Sequence, residues 1–142
     1  MCNEQGGSVT VYALDTAKGT LTTRQMISTL PEGYSGRKLC SQIHMHPTGS
    51  HLYVGNRGHD SIASFAIDKT TGELTSTGWT QVGPVPRAFS LDPTGNFLYV
   101  TSLESWNMIS FRVDQLSGGL TRLETYEVGS LPMWVLITDL AI

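Results

Sequence analysis

His46-Pro47-Thr48-Gly49-Ser50-His51-Leu52-Tyr53-Val54 returns 46 residues later as Asp92-Pro93-Thr94-Gly95-Asn96-Phe97-Leu98-Tyr99-Val100. The register then holds without a gap. Ser64-Phe65 returns as Ser110-Phe111, Asp68 as Asp114, Gly72 as Gly118 and Leu74-Thr75 as Leu120-Thr121. Further on, Val82-Gly83 and Pro86 return as Val128-Gly129 and Pro132. A fixed period of this size is the mark of a repeat architecture.

Within one period the pattern is of short strands. Ser8-Val9-Thr10-Val11-Tyr12-Ala13-Leu14 alternates polar with β-branched or aromatic residues, as a half-buried strand does. Asp15-Thr16-Ala17-Lys18-Gly19 then makes a turn, and Thr20-Leu21-Thr22 opens the next strand. The same unit recurs over 62–75 and 108–121. Pro-Thr-Gly marks a second turn, between Ile43-His44-Met45 and Leu52-Tyr53-Val54. Gly83-Pro84-Val85-Pro86 is a linker. Each repeat therefore predicts four short antiparallel strands, which is the unit of a β-propeller blade. A leucine-rich repeat would show its leucine ladder, and a sandwich would not repeat at a fixed offset.

The first repeat aligns with the second at an offset of 53, with Tyr12 on Phe65, Asp15 on Asp68, Gly19 on Gly72 and Glu4 on Arg57. The sequence thus enters at the end of a blade's second strand, and Pro132 to Ile137 is expected to be an innermost strand alone. The expected fold is all-β, a partial propeller of about three blades. Repeats fall at approximately 1–36, 37–82 and 83–128, with a closing strand over 129–142. Fewer than four blades do not close a ring, and their open edges invite self-association.

Composition narrows the function. Nine Lys and Arg against twelve Asp and Glu give a net charge of −3, which argues against a nucleic-acid partner. No apolar run approaches membrane-spanning length, and residues 1–7 have neither the basic start nor the apolar run of a signal peptide. The cytosol is the expected compartment, with Cys2 and Cys40 as reduced thiols. No Cys/His spacing points to zinc, and neither metal nor cofactor is expected. Ser41, Ser61 and Ser64 lack a nucleophile-elbow context.

Two positions change chemical type while the frame around them stays constant. One holds Glu4, Arg57 and Leu103, the other Ser41, Arg87 and Met133. Variation inside a fixed frame marks residues at a channel mouth. Guanidinium forks suit phosphate and carboxylate, so Arg57 and Arg87 are candidates for binding an anionic substrate. Glu4 is a candidate general base or acid, and His44 a candidate for proton transfer or substrate contact. Trp79, Trp106 and Trp134 read as blade packing more readily than as sugar platforms.

Ile43-His44, Asn56-Arg57-Gly58-His59-Asp60-Ser61-Ile62, Pro86-Arg87-Ala88-Phe89, Asp92-Pro93-Thr94-Gly95 and Pro132-Met133-Trp134-Val135 together resemble the lactonase family of seven-bladed propellers. The resemblance implies metal-free hydrolysis of a sugar lactone, 6-phosphogluconolactone foremost, in the pentose phosphate pathway. It implies catalytic roles for Glu4, Arg57 and His44, and substrate binding by Arg87 and Arg57. The partner it implies is an anionic small-molecule lactone. A carboxymuconate-type cycloisomerase and a non-catalytic, self-assembling propeller segment are the alternatives. Gln42 stands where some members carry an acid. Further pocket residues are expected from earlier blades, so these 142 residues alone are expected to be inactive.

Overall fold

The computed structural model describes residues 1–139 as three antiparallel sheets. The first holds β1 (Cys2–Asn3), β2 (Ser8–Asp15) and β3 (Thr20–Ser28), paired in that order. The second holds β4 (Cys40–Met45), β5 (His51–Asn56), β6 (Ser61–Ile67) and β7 (Leu74–Gln81). The third holds β8 (Pro86–Leu91), β9 (Phe97–Ser102), β10 (Asn107–Val113) and β11 (Leu120–Glu127). Each strand pairs with its sequence neighbour, so each sheet is one up-and-down blade. Among the described residues no helix is long and apolar enough to cross a membrane.

The turns form as their residues dictate. Asp15, Asp68 and Asp114 each accept two backbone N–H bonds, from residues two and three places on, at 2.7 to 3.1 Å. These bonds favour the ionised carboxylate and hold Asp68 and Asp114 below the ordinary aspartate pKa. The turns close on Gly19, Gly72 and Gly118 at φ of 67°, 75° and 71°, a conformation only glycine adopts without strain. The repeat also extends to irregularities. The outer strand pair of every blade shifts register at the same place, at Val11/Tyr12, Ser64/Phe65 and Ile109/Phe111.

Two apolar clusters lie between the blades. Val9 with Val54, Ala63, Phe65 and Leu74 fills the space between the first and second. Tyr53 and Ile62 meet Phe89, Leu98, Val100, Ile109 and Phe111 between the second and third. Side chains then staple one blade's backbone to the next. The Gln25 amide donates to Leu74 O and accepts from Leu74 N, both at 2.8 Å. His46, buried, donates from Nε2 to Gly95 O at 3.0 Å. Tyr53 donates its hydroxyl to Gly118 O at 2.9 Å.

The closing segment departs from expectation. Pro132 to Ile137 belongs to no sheet, because a lone strand has no neighbour to exchange backbone hydrogen bonds with. Residues 140–142 of that expected strand lie outside the described residues.

Candidate functional site

Strand alternation sets one end of the molecule. The loops after β1, β5 and β9 share that end with the linkers that enter β4 and β8. The Pro-Thr-Gly and Asp-to-Gly turns occupy the other. Glu4 and Arg57 lie in loops of the first end, and Ser41 and Arg87 near the start of β4 and β8.

Glu4 and Arg57 meet across the gap between the first two blades. Arg57 Nη2 donates to Glu4 Oε1 and, at 3.2 Å, to Cys40 O. The pair is unequally buried, the Arg57 side chain 18% exposed and that of Glu4 60%. Arg57 Nε is buried without a hydrogen-bond partner. Backbone bonds fix both loops: Cys40 N donates to Glu4 O at 2.9 Å, and Arg57 N to Leu39 O at 2.7 Å.

Arg87 and Ser41 owe their placement to a repeated bulge. The β4–β5 ladder slips between Cys40 and Ile43, and the β8–β9 ladder between Pro86 and Ala88. A bulge re-aims the side chain it carries, and here it carries the very positions that vary between repeats. Arg87 is half-buried and makes no side-chain hydrogen bond or ion pair with the described residues. The Ser41 hydroxyl is buried and unpartnered, against Gly55, whose missing side chain leaves it room.

His44 stands apart from the other candidates. It lies opposite Tyr53 in the ladder, whereas Cys40 lies opposite Asn56. That puts it three ladder steps further along the blade, roughly 10 Å at an ordinary strand rise. Its ring meets Phe89 edge-on at 4.7 Å. Burial lowers its pKa, which favours the neutral imidazole. Gln42 is committed to structure, since its Oε1 accepts from Phe89 N at 2.9 Å and so ties β4 to β8.

A strap over the site was missed in the sequence. The segment 29–39 between β3 and β4 is seven residues longer than the segment 82–85 between β7 and β8. That difference is why the first offset is 53 and the second 46. Tyr34 donates its hydroxyl to Gly58 O and packs edge-on against His59 at 5.0 Å. Asn56 anchors the strap's start, accepting from Thr29 Oγ1 at 2.8 Å and donating to Thr29 O at 2.7 Å. A cavity of about 450 Å³ under the strap, lined by Leu30, Tyr34, Lys38 and Trp79, does not include Arg57.

Cys2 and Cys40 are free thiols beside this pair. The mutual influence of these neighbouring thiols is the main one on both. It draws Cys40 down to about 7, against its own burial and with help from Thr29 and Arg57. The proximity of Cys40, with burial, pushes Cys2 upward. A thiol whose folded pKa is depressed adds stability above its unfolded value and loses it as pH falls through the folded one. Cys40 therefore contributes fully above its ordinary value of 9.0 and loses that contribution down to about 7. Cys2 acts in the opposite sense, above 9.0. The urea midpoint is expected to fall as pH drops across the Cys40 window, with a shallower slope in Cys40→Ser. Equal slopes in the two proteins would remove Cys40 as the source.

Stacked antiparallel blades of three and four strands, with varying side chains gathered at one end, define a β-propeller segment. The family model described as "Lactonase, 7-bladed beta-propeller" matches residues 1–137, and the chain belongs to that family. It is 36% identical over 90 residues to a 6-phosphogluconolactonase of Pectobacterium atrosepticum, a match covering 63% of this chain and 27% of that protein. It superposes on the periplasmic gluconolactonase of Pseudomonas aeruginosa with a TM-score of 0.84 at 33% identity, covering 89% of this chain and 36% of that one. A Bacteroides fragilis structure provisionally assigned as a 6-phosphogluconolactonase gives a TM-score of 0.88 at 30% identity, covering 96% and 37%. The match thus spans about a quarter of the length of the curated relatives.

Proposed function

We propose that this chain is the portion of a propeller lactonase that recognises the anionic group of a sugar lactone, and that the whole protein hydrolyses the lactone to its open acid. The favoured substrate is 6-phosphogluconolactone. The observation that carries the reading is Arg87, a half-buried cation on a bulge with no protein partner among the described residues. Arg57, oriented by Glu4 and Cys40 O, provides a second guanidinium at the same end. The family and the names of the relatives support the same chemistry.

Hydrolysis adds water to the lactone carbonyl, passes through a tetrahedral oxyanion and breaks the ring C–O bond. In this reading Glu4 takes the proton of the attacking water and returns it to the ring oxygen as the C–O bond breaks, and the guanidinium groups hold the phosphate or the oxyanion. His44, deeper in the channel and neutral, contacts the substrate's polar body. A segment that superposes on little more than a third of a related propeller does not contain the pocket residues of the other blades. The isolated 142-residue polypeptide is therefore expected to hydrolyse 6-phosphogluconolactone no faster than buffer. Turnover lost on Arg57→Ala would overturn that expectation.

Binding tests the recognition itself. Titration with 6-phosphogluconate is expected to shift the NMR signals of the Arg87 and Arg57 side-chain N–H groups, and gluconate to shift them less. If neither arginine responds to 6-phosphogluconate, the reading fails. Equal responses to both ligands would point to an unphosphorylated lactone.

A further inference from the structure

The junction between the second and third blades lacks a contact that the junction before it has. Between the first two blades, the Gln25 amide donates to Leu74 O and accepts from Leu74 N. The ladders identify the equivalent residues. Gln25 lies opposite Val11, and Gly78 opposite Ser64, each beside the same register shift. Leu74 lies opposite Ile67, and Leu120 opposite Val113. Gly78 therefore stands to Leu120 as Gln25 stands to Leu74, but with no side chain to offer. The space beside it is open, and a methyl group added there meets nothing within 4 Å.

The main chain of Leu120 is turned toward this gap. Val113 N donates to Asn96 O, on the inner side of its blade, as Ile67 N donates to Ser50 O. The Val113 backbone thus faces away from β11, and in an antiparallel ladder the residue opposite faces away too. The Leu120 N–H and O therefore point out of the free edge of β11, as those of Leu74 point out of β7 to Gln25. A donor and an acceptor lie side by side in a cleft of about 540 Å³ that Leu120 and Gly78 both line. A cleft of this size suits a small molecule or a single side chain.

The walls change in the same sense. Val11 and Ile27 pack into the apolar cluster between the first two blades. Their counterparts in the second blade are Ser64 and Thr80, which line the cleft with hydroxyl groups instead. His51, also in the lining, is 5% exposed, and both its ring nitrogens are buried without a hydrogen-bond partner. Buried polar groups are normally paired, so the protein alone leaves this junction polar and unsatisfied. Both of its blades have all four strands.

From these observations we infer that the cleft between the second and third blades binds a primary carboxamide, whose C=O accepts from Leu120 N and whose NH₂ donates to Leu120 O. The Gln25 amide is the precedent, since it makes both bonds at 2.8 Å in the neighbouring junction. A carboxylate would set a second acceptor against Leu120 O, and a tertiary amide has no donor for it. The carboxamide belongs to a free small molecule or to a glutamine of a partner protein. The site uses neither Arg57 nor Arg87, so it stands or falls apart from the lactone reading.

The test is an NMR titration of the isotope-labelled full chain. Propanamide is expected to move the Leu120 N–H signal downfield, while propionate and N,N-dimethylpropanamide leave it in place. The Leu74 N–H signal should stay still in the wild type, where Gln25 holds it, and respond to propanamide in Gln25→Gly. Leu120→Pro removes the donor at the first residue of an edge strand, where proline is tolerated. It should abolish saturation transfer from protein to propanamide and leave the circular dichroism spectrum unchanged. A short peptide with one glutamine separates the sources. A stronger Leu120 shift than propanamide gives at equal concentration assigns the carboxamide to a partner protein, and an equal or weaker shift to a free small molecule. A Leu120 signal that propanamide leaves in place, or that N,N-dimethylpropanamide moves as far, overturns the inference.

Discussion

Asn56→Ala is expected to cost about 3 kcal/mol, the sum of lost bonds and of buried polar groups left without partners. Asn56 is 1% exposed and sits at the end of β5, immediately before Arg57. Its Oδ1 takes the Thr29 hydroxyl, its Nδ2 donates to Thr29 O, and the Cys40 thiol reaches the same Oδ1 at 3.7 Å. Alanine leaves the Thr29 hydroxyl only the weak Cys40 sulfur, at 3.2 Å, and loosens the join between β3, the strap and β4. A small domain has a total stability of about 5–15 kcal/mol, so the loss is a large share of it. Urea denaturation at fixed protein concentration should show a lower midpoint with an unchanged m-value. A loss below about 1 kcal/mol would mean that water or Trp79, which also donates to Thr29 O at 2.7 Å, takes over these bonds.

Gly58→Ala should be at least as damaging, about 3 kcal/mol or more, for a steric reason. A methyl group there would collide with the Arg37 carbonyl, 2.7 Å from its carbon and closer still to its oxygen. Gly58 has no positive φ, so the backbone conformation itself suits alanine. The colliding atoms are backbone, and the strap must lift for the methyl group to fit. Lifting it disturbs Leu39 O, the partner of Arg57 N, so the arginine response to 6-phosphogluconate should weaken with stability. Gly129→Ala is the control, because an added methyl there meets nothing within 4 Å. Equal stability of the two variants would show that the strap yields freely.

The blades were legible because each depends on local chemistry. Asp15, Asp68 and Asp114 cap their own turns, and glycines four places on supply the positive φ, so the pattern can be read from one repeat and checked in the next. Both varying positions of the candidate site were legible for the same reason. The bulges that present Ser41 and Arg87 had no local signal of their own, since a ladder slip depends on the partner strand. The strap left only an arithmetic trace, two offsets that differ by seven. His44 was grouped with Glu4 by type of chemistry, and strand geometry separates them. The innermost strand expected at 132–137 has no sheet, because a strand exists only with a neighbour.

The sequence by itself determined the blade, its turns, its period and the positions where chemistry varies. Each of these is set within a few residues by φ preference, side-chain alternation and self-capping. Only the tertiary structure decided that Arg57 pairs with Glu4, that Gln42 and Asn56 are joints between blades, and that Arg87 has no side-chain partner among the described residues. Those contacts join residues about 27 to 53 positions apart. The geometry of these three contacts is fixed by how one twisted sheet packs on the next, which no local pattern records.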